Sequence, residues 1–258
     1  METLAKKIIK NGGEVKTFFT PTPYTKVFGH FNPSIFNDKG SLHVVSRTCN
    51  YTLYHSELGK TLLGGSPLHY VGEENEIFET INYFTYIDSK YLKPVFTTKV
   101  FTDELDQKPQ WHFSGLEDAR LVKWNNSFYM CGTRRDTEST GIGRMELSRI
   151  LVEHAYSHEV ERISIPVPEG QDSYCEKNWM PILSMPFHFV KWSNPTEIVR
   201  YDPKSKTTHT VVLKEELEGV SKNLRGGSQV IDWADGRYLG IVHEPYHTYP
   251  NGSFDNEY

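Results

Sequence analysis

The sequence predicts an all-β protein, specifically a five-bladed β-propeller whose last blade is incomplete. Three observations point there. Aromatic residues make up 13% of the chain, and most of the 15 Tyr and 14 Phe fall in short alternating runs, as in half-buried strands. Helical pattern is confined to METLAKKIIKNG and to short pieces around RILVEHAYSHEVER and KEELEGVSKNL. Finally, a weak repeat runs along the chain. Each copy has a polar or charged anchor, an apolar pair, a tight turn and an aromatic-rich strand.

The copies are NPSIFNDKGSLHVVSR from Asn32, EDARLVKWNNSFYMCGT from Glu117, KNWMPILSMPFHFVKWS from Lys177 and RGGSQVIDWADGRYLGIVHE from Arg225. A fainter fifth copy is TINYFTYIDSKYLKPVFTT, near residues 80–98. Their turns carry Asn37 to Gly40, Asn125-Asn126 and Ala234 to Gly236, residues that tolerate positive φ. A spacing of roughly 40–60 residues suits four-stranded blades. A sandwich would show turns about every 8–12 residues without the longer period. The stretch from Arg225 to Tyr258 is short for four strands. Residues 14–28 are therefore expected to complete that blade, or the chain is cut short and leaves an open edge.

A chain of 258 residues with 37% hydrophobic and 24% charged residues has an ordinary globular composition. A single domain over 1–258 is expected, with residues 1–13 as a helical extension. The net charge of −5 and the lack of a basic cluster argue against nucleic acid. Cys49, Cys131 and Cys175 are too scattered for a disulfide framework or a zinc site and read as free thiols. No apolar run approaches the roughly 18 residues of a membrane span. The N-terminus has lysines without the apolar run of a signal peptide, so a cytoplasmic location is expected. The sequons at Asn50, Asn125 and Asn251 then read as accidental.

In a propeller the innermost strands line a central channel, and equivalent positions converge at one end. Asn32, Glu117, Asp118, Arg120, Lys177, Asn178 and Arg225 would meet around one funnel. Carboxylates, amides, Arg and Lys in one ring suit a hydroxyl-rich or anionic ligand. The plainer reading is a set of turn formers and ion pairs that hold blades together.

FNPSI with Arg47, GLEDARLV, EKNWMP and LRGGSQ, in that order, resemble the glycoside hydrolase family 130 group of five-bladed propellers. That group holds β-mannoside phosphorylases and hydrolases, and related β-1,2-mannosyltransferases share its fold. The resemblance spans roughly residues 28–245. Ala119 stands where members commonly have Pro, and members continue past the VHE segment with a further strand.

The resemblance implies a carbohydrate-active enzyme working with inversion by phosphorolysis, hydrolysis or transfer from a sugar phosphate. Asp118 would be the general acid, needed because a sugar alkoxide is a poor leaving group. Glu117 would lie on the opposite strand face, as a structural partner to Arg120. Lys177, Arg225 and Arg47 would hold a phosphate or sugar hydroxyls, or pair with carboxylates such as Glu176. Asn32 and Asn178 suit sugar hydroxyls, although Asn32 before Pro33 equally suits a turn. His243 and Glu244 end the last inner hairpin, with Glu244 a candidate base in a hydrolytic variant. Trp179 is the tryptophan placed to stack on a sugar. The expected partner is an oligosaccharide or glycoside, with inorganic phosphate or a sugar phosphate as co-substrate and no metal or other cofactor. A non-catalytic sugar-binding propeller is the alternative, and a protein-interaction propeller stands behind it.

Overall fold

The computed structural model describes residues 3–15, 30–53, 70–71, 77–153, 156–244, 247–248 and 254–255. A short helix, α1 (Leu4–Lys10), starts where the Thr3 hydroxyl accepts from the Lys6 amide at 3.4 Å. Beyond it the regular structure is almost entirely strand, and the chain has the all-β propeller architecture.

Blade 1 is an antiparallel sheet of β1 (His30–Asp38), β2 (Ser41–Cys49), β3 (Phe78–Asp88) and β4 (Lys93–Phe101). Blade 2 follows with β5 (Glu117–Trp124), β6 (Ser127–Arg134), β7 (Arg144–Glu153) and β8 (Tyr156–Ile165). Blade 3 comprises β9 (Met180–Pro181), β10 (His188–Ser193), β11 (Thr196–Asp202) and β12 (Thr207–Leu213). Of blade 4, the described residues supply an inner hairpin: β13 (Arg225–Gly226) and β14 (Ile231–Asp232) against β15 (Tyr238–Leu239) and β16 (Val242–His243). Residues 80–98 are therefore not a repeat of their own. They form the outer half of blade 1, since β3 pairs with β2.

The tight turns follow from local chemistry. Asn125 and Asn126 both take left-handed backbone, at φ 49° and 64°, the geometry that matches the twist of a two-residue hairpin. Between β1 and β2, the Gly40 amide donates to the Asn37 side chain at 2.7 Å. RILVEHAYSHEVER belongs to β7 and β8 rather than to a helix. Its apolar residues alternate, with Ile150 buried and Leu151 exposed. KEELEGVSKNL likewise forms turns without a helix.

Apolar layers between the blades carry the packing. Val45, Phe84, Leu121, Met130 and Ile150 fill the space between blades 1 and 2. Trp124, Met145, Leu147, Trp179 and Phe189 fill that between blades 2 and 3. Trp124 also donates its indole N–H to the carbonyls of Ile182 and Leu183, at 3.1 and 3.2 Å. The outer edges of blades 1 and 2 meet in a short parallel pairing of β4 with β8. Beside it, Arg134 pairs with Glu146 and Asp136, and Arg162 with Asp106 and Glu159. Blade 4 is different: Ile231, Trp233, Tyr238, Leu239 and Ile241 are all exposed. Of residues 14–28, expected to complete this blade, those from 16 onward lie outside the described residues.

Near the axis the inner strands are tied by polar groups. The Ser34 hydroxyl accepts from the Leu121 amide at 2.9 Å. The Gln229 side-chain amide lies within 2.8–3.0 Å of Ser34 Oγ and of the Ile35 and Leu121 carbonyls. Blades 3 and 4 approach closely at Gly226, where a Cβ would stand 2.1 Å from the Asn178 carbonyl oxygen. Gly226→Ala should therefore destabilise the fold by about 1–3 kcal/mol, as overpacking does. A thermal melt indistinguishable from wild type would show that this approach is not needed.

Candidate functional site

Three anchors share one backbone feature. Asn32, Asp118 and Asn178 take left-handed φ of 44°, 50° and 62° at corresponding places in the repeat. Asn and Asp are the side-chain-bearing residues that adopt this region most readily. At the first two the ladder slips in register, between Phe31 and Ser34 and between Glu117 and Arg120. Each slip breaks strand alternation and re-aims the anchor. Asn32 and Asp118 consequently meet, although 86 residues separate them: Asn32 Nδ2 donates to Asp118 Oδ1 at 2.5 Å.

Asp118 Oδ1 also takes Arg47 Nη2, at 3.0 Å. Among the described residues no partner falls on Oδ2, and the side chain keeps 33% of its surface exposed. One oxygen is anchored and the other is open. Arg47 is itself held by Tyr51 Oη and Thr80 Oγ1, each at 3.3 Å. Burial alone would lower its pKa, but Asp118, with smaller contributions from Tyr51, Cys49 and Glu117, raises it on balance. The guanidinium is a permanent charge.

Arg120 is 7% exposed and joins three blades. Nη1 donates to the Asp118 carbonyl at 3.1 Å, while Nη2 reaches the Gly226 carbonyl at 2.6 Å and Asn178 Oδ1 at 3.5 Å. Burial lowers its pKa, opposed by Cys131 and Asp118. Arg120 does not serve as the expected partner of Glu117. Glu117 instead lies in the field of Arg47, Asp118, Arg135 and Lys177. Its carboxyl is pushed above the ordinary range by burial, against the pull of Arg47. Left-handed Asp118 interrupts the two-residue period on which the expected opposition of Glu117 and Asp118 across the strand rests.

The remaining cations gather at the same end. Arg225 sits opposite His243 in the β13–β16 pairing. His243 is lowered from the usual imidazole value by burial first, then by Arg120 and Arg225, with Lys177 adding to these and Asp118 opposing. Lys177 is exposed and acts on both Glu117 and His243. Carboxylates and cations thus share one electrostatic neighbourhood.

One expected residue is placed elsewhere. Trp179 is 1% exposed; its indole donates to Glu176 Oε2 at 2.9 Å and its ring packs near Phe189. It is a core residue and presents no face to a sugar. Glu244 accepts from the Ser221 hydroxyl. Glu176, the carboxylate expected near the cations, is buried against Lys191 at 3.3 Å. Sequence reasoning missed Tyr51 and Thr80, which support Arg47, and Gln229, which lay unread within LRGGSQ.

The three-blade junction is testable. Arg120→Lys keeps the charge but cannot reproduce the planar fork. It should leave the Gly226 carbonyl or Asn178 unserved and cost about 1–3 kcal/mol, read by chemical denaturation. Unchanged stability would show that the fork is dispensable.

In comparison with known proteins, no family model matches the chain, and no curated protein matches it. Among solved structures the chain is similar to a β-1,2-mannobiose phosphorylase from Listeria innocua in complex with β-1,2-mannobiose. That similarity has 12% identity and a TM-score of 0.46, and it covers 91% of this chain and 73% of the other.

Proposed function

We propose that the protein is an inverting carbohydrate-active enzyme for β-mannosides, and that it works by phosphorolysis. The observation that carries this reading is the asymmetric setting of Asp118. Its Oδ1 is anchored by Asn32 and Arg47, and its Oδ2 has no partner among the described residues. An open oxygen on a fixed carboxyl suits delivery of a proton to a glycosidic oxygen. The sequence resemblance of GLEDARLV points to the same residue.

Phosphorolysis asks less of the site than hydrolysis. Inverting hydrolysis needs a second carboxylate to activate water on the far face of the sugar. Phosphate is already a nucleophile and requires only to be held and aligned, a task for fixed cations. Lys177 and Arg225 supply the charge and His243 joins them once protonated, whereas Glu244, the candidate base, accepts from Ser221. In the proposed reaction a phosphate oxygen bonds to the anomeric carbon as the glycosidic C–O bond breaks. The leaving oxygen takes the proton from Asp118. Asn32 and Asn178 orient hydroxyls of the mannosyl ring.

Asp118→Asn should lower turnover of an unactivated β-mannoside by roughly 10²-fold or more, while disaccharide affinity stays within a few-fold. Lys177→Ala or Arg225→Ala should raise the KM for phosphate about ten- to a hundredfold, each removing a charge-assisted contact. Steady-state assay of β-1,2-mannobiose and related glycosides, with and without phosphate, reads both. Full activity in Asp118→Asn would end the general-acid assignment. Sugar binding without turnover by the wild type would leave a non-catalytic binding propeller.

The pH dependence has a definite sign. Free His243 is lowered by burial and neighbouring cations, so its imidazole charges only as pH falls. A bound anion favours the charged ring. Phosphate should therefore raise the His243 pKa, and by linkage phosphate should bind more tightly as pH falls through it. An NMR titration of the imidazole with and without phosphate checks this. An unmoved His243 would place the anion elsewhere.

A further inference from the structure

We infer that the exposed ring of Tyr174, fixed by Arg135 at the mouth between blades 2 and 3, is a subsite for the second pyranose ring of the glycoside. This rests on the carbohydrate reading of the Asp118 site. Tyr174 is 57% exposed, but it is not loose. Its carbonyl accepts from the Gly143 amide at 2.9 Å, and the preceding Ser173 carbonyl accepts from Arg144 Nη1 at 2.8 Å. Its phenolic oxygen accepts from Arg135 Nη2 at 2.9 Å.

Arg135 is held in turn. Its Nε donates to the Gly141 carbonyl at 3.0 Å. The guanidinium carbon lies 5.5 Å from the Tyr174 ring centroid and 5.2 Å from that of Phe113. Trp111 lies against Gly141 so closely that a Cβ there would stand 2.3 Å from the indole. A pre-fixed aromatic surface with a cationic edge results, and little ordering remains to be done when a ligand arrives.

The position follows from a chain of contacts. Phe113 packs on Tyr51 with centroids 5.5 Å apart. The Tyr51 hydroxyl accepts from Arg47, and Arg47 holds Asp118. Arg135 also acts on Glu117, and Tyr174 stands three residues before Lys177. The ring therefore belongs to the rim of the same site.

A pyranose has an apolar C–H face and a hydroxyl edge. Tyr174 offers a ring face to the first and Arg135 offers donors to the second. Because Asp118 must stand at the bond that breaks, a ring at the rim would meet a sugar beyond that bond. The platform would set a preference for disaccharides over single sugars.

The test is calorimetric titration of the wild type, Tyr174→Ala and Tyr174→Phe with β-1,2-mannobiose and with mannose. Tyr174→Ala should weaken disaccharide binding roughly two- to tenfold and leave mannose unchanged. Tyr174→Phe keeps the ring but loses its Arg135 anchor, so it should weaken disaccharide binding less than Tyr174→Ala does. Unchanged disaccharide affinity in Tyr174→Ala would overturn the subsite while leaving the Asp118 reading intact. Equal weakening for both sugars would make Tyr174 a structural residue and overturn it too. A wild type that binds neither sugar would remove the carbohydrate reading, and this subsite with it.

Discussion

Arg120 is the constraint on which the site depends. A guanidinium with so little exposed surface is costly to bury unless its donors are taken up. Here Nη1 and Nη2 are taken up by three inner segments, at Asp118, Asn178 and Gly226, while Nε has no partner among the described residues. Satisfying the charge therefore fixes how the first turns of three blades approach one another. Only Gly fits at 226, because a side chain would push that backbone away. The ring of anchors is thus set by a buried cation and its carbonyl acceptors as well as by the apolar layers between blades.

Left-handed backbone at Asn32, Asp118 and Asn178 does the rest. In a regular strand Glu117 and Asp118 would face opposite sides. The register slip interrupts that alternation, and Asp118 pairs with an Arg47 guanidinium that also lies in the field of Glu117. Residues held in sparsely populated backbone regions concentrate at functional sites. Three of them stand at equivalent repeat positions; Asn32 meets Asp118 directly, and Asn178 meets Arg120.

Much of this was legible in the sequence, and the failures have physical causes. The four anchor segments could be read because their turns are local: Asn125-Asn126 and Asp235-Gly236 tolerate positive φ and adopt it here. The hairpin of residues 80–98 carries the same aromatic alternation and a turn at Asp88. Alternation marks a strand but not its rank within a blade, so an outer pair was read as a repeat. Trp179 was misread for a related reason. It follows left-handed Asn178, after which a strict two-residue count no longer tells inside from outside. Thr80 and Gln229 act across tens to hundreds of positions, where no spacing rule reaches; Tyr51 is only four residues from Arg47 but lies past the end of β2, where strand alternation no longer applies.

The Gln229 amide has a consequence for how the blades move relative to one another. It reaches from blade 4 to Ser34 and Ile35 of β1 and to Leu121 of β5. Ser34 stands two residues from Asn32 and Leu121 three from Asp118, so one side chain of blade 4 braces the strands that carry both anchors. A displacement of blade 4 would loosen all three contacts together, and the Asn32–Asp118 pairing depends on a blade that contributes neither residue.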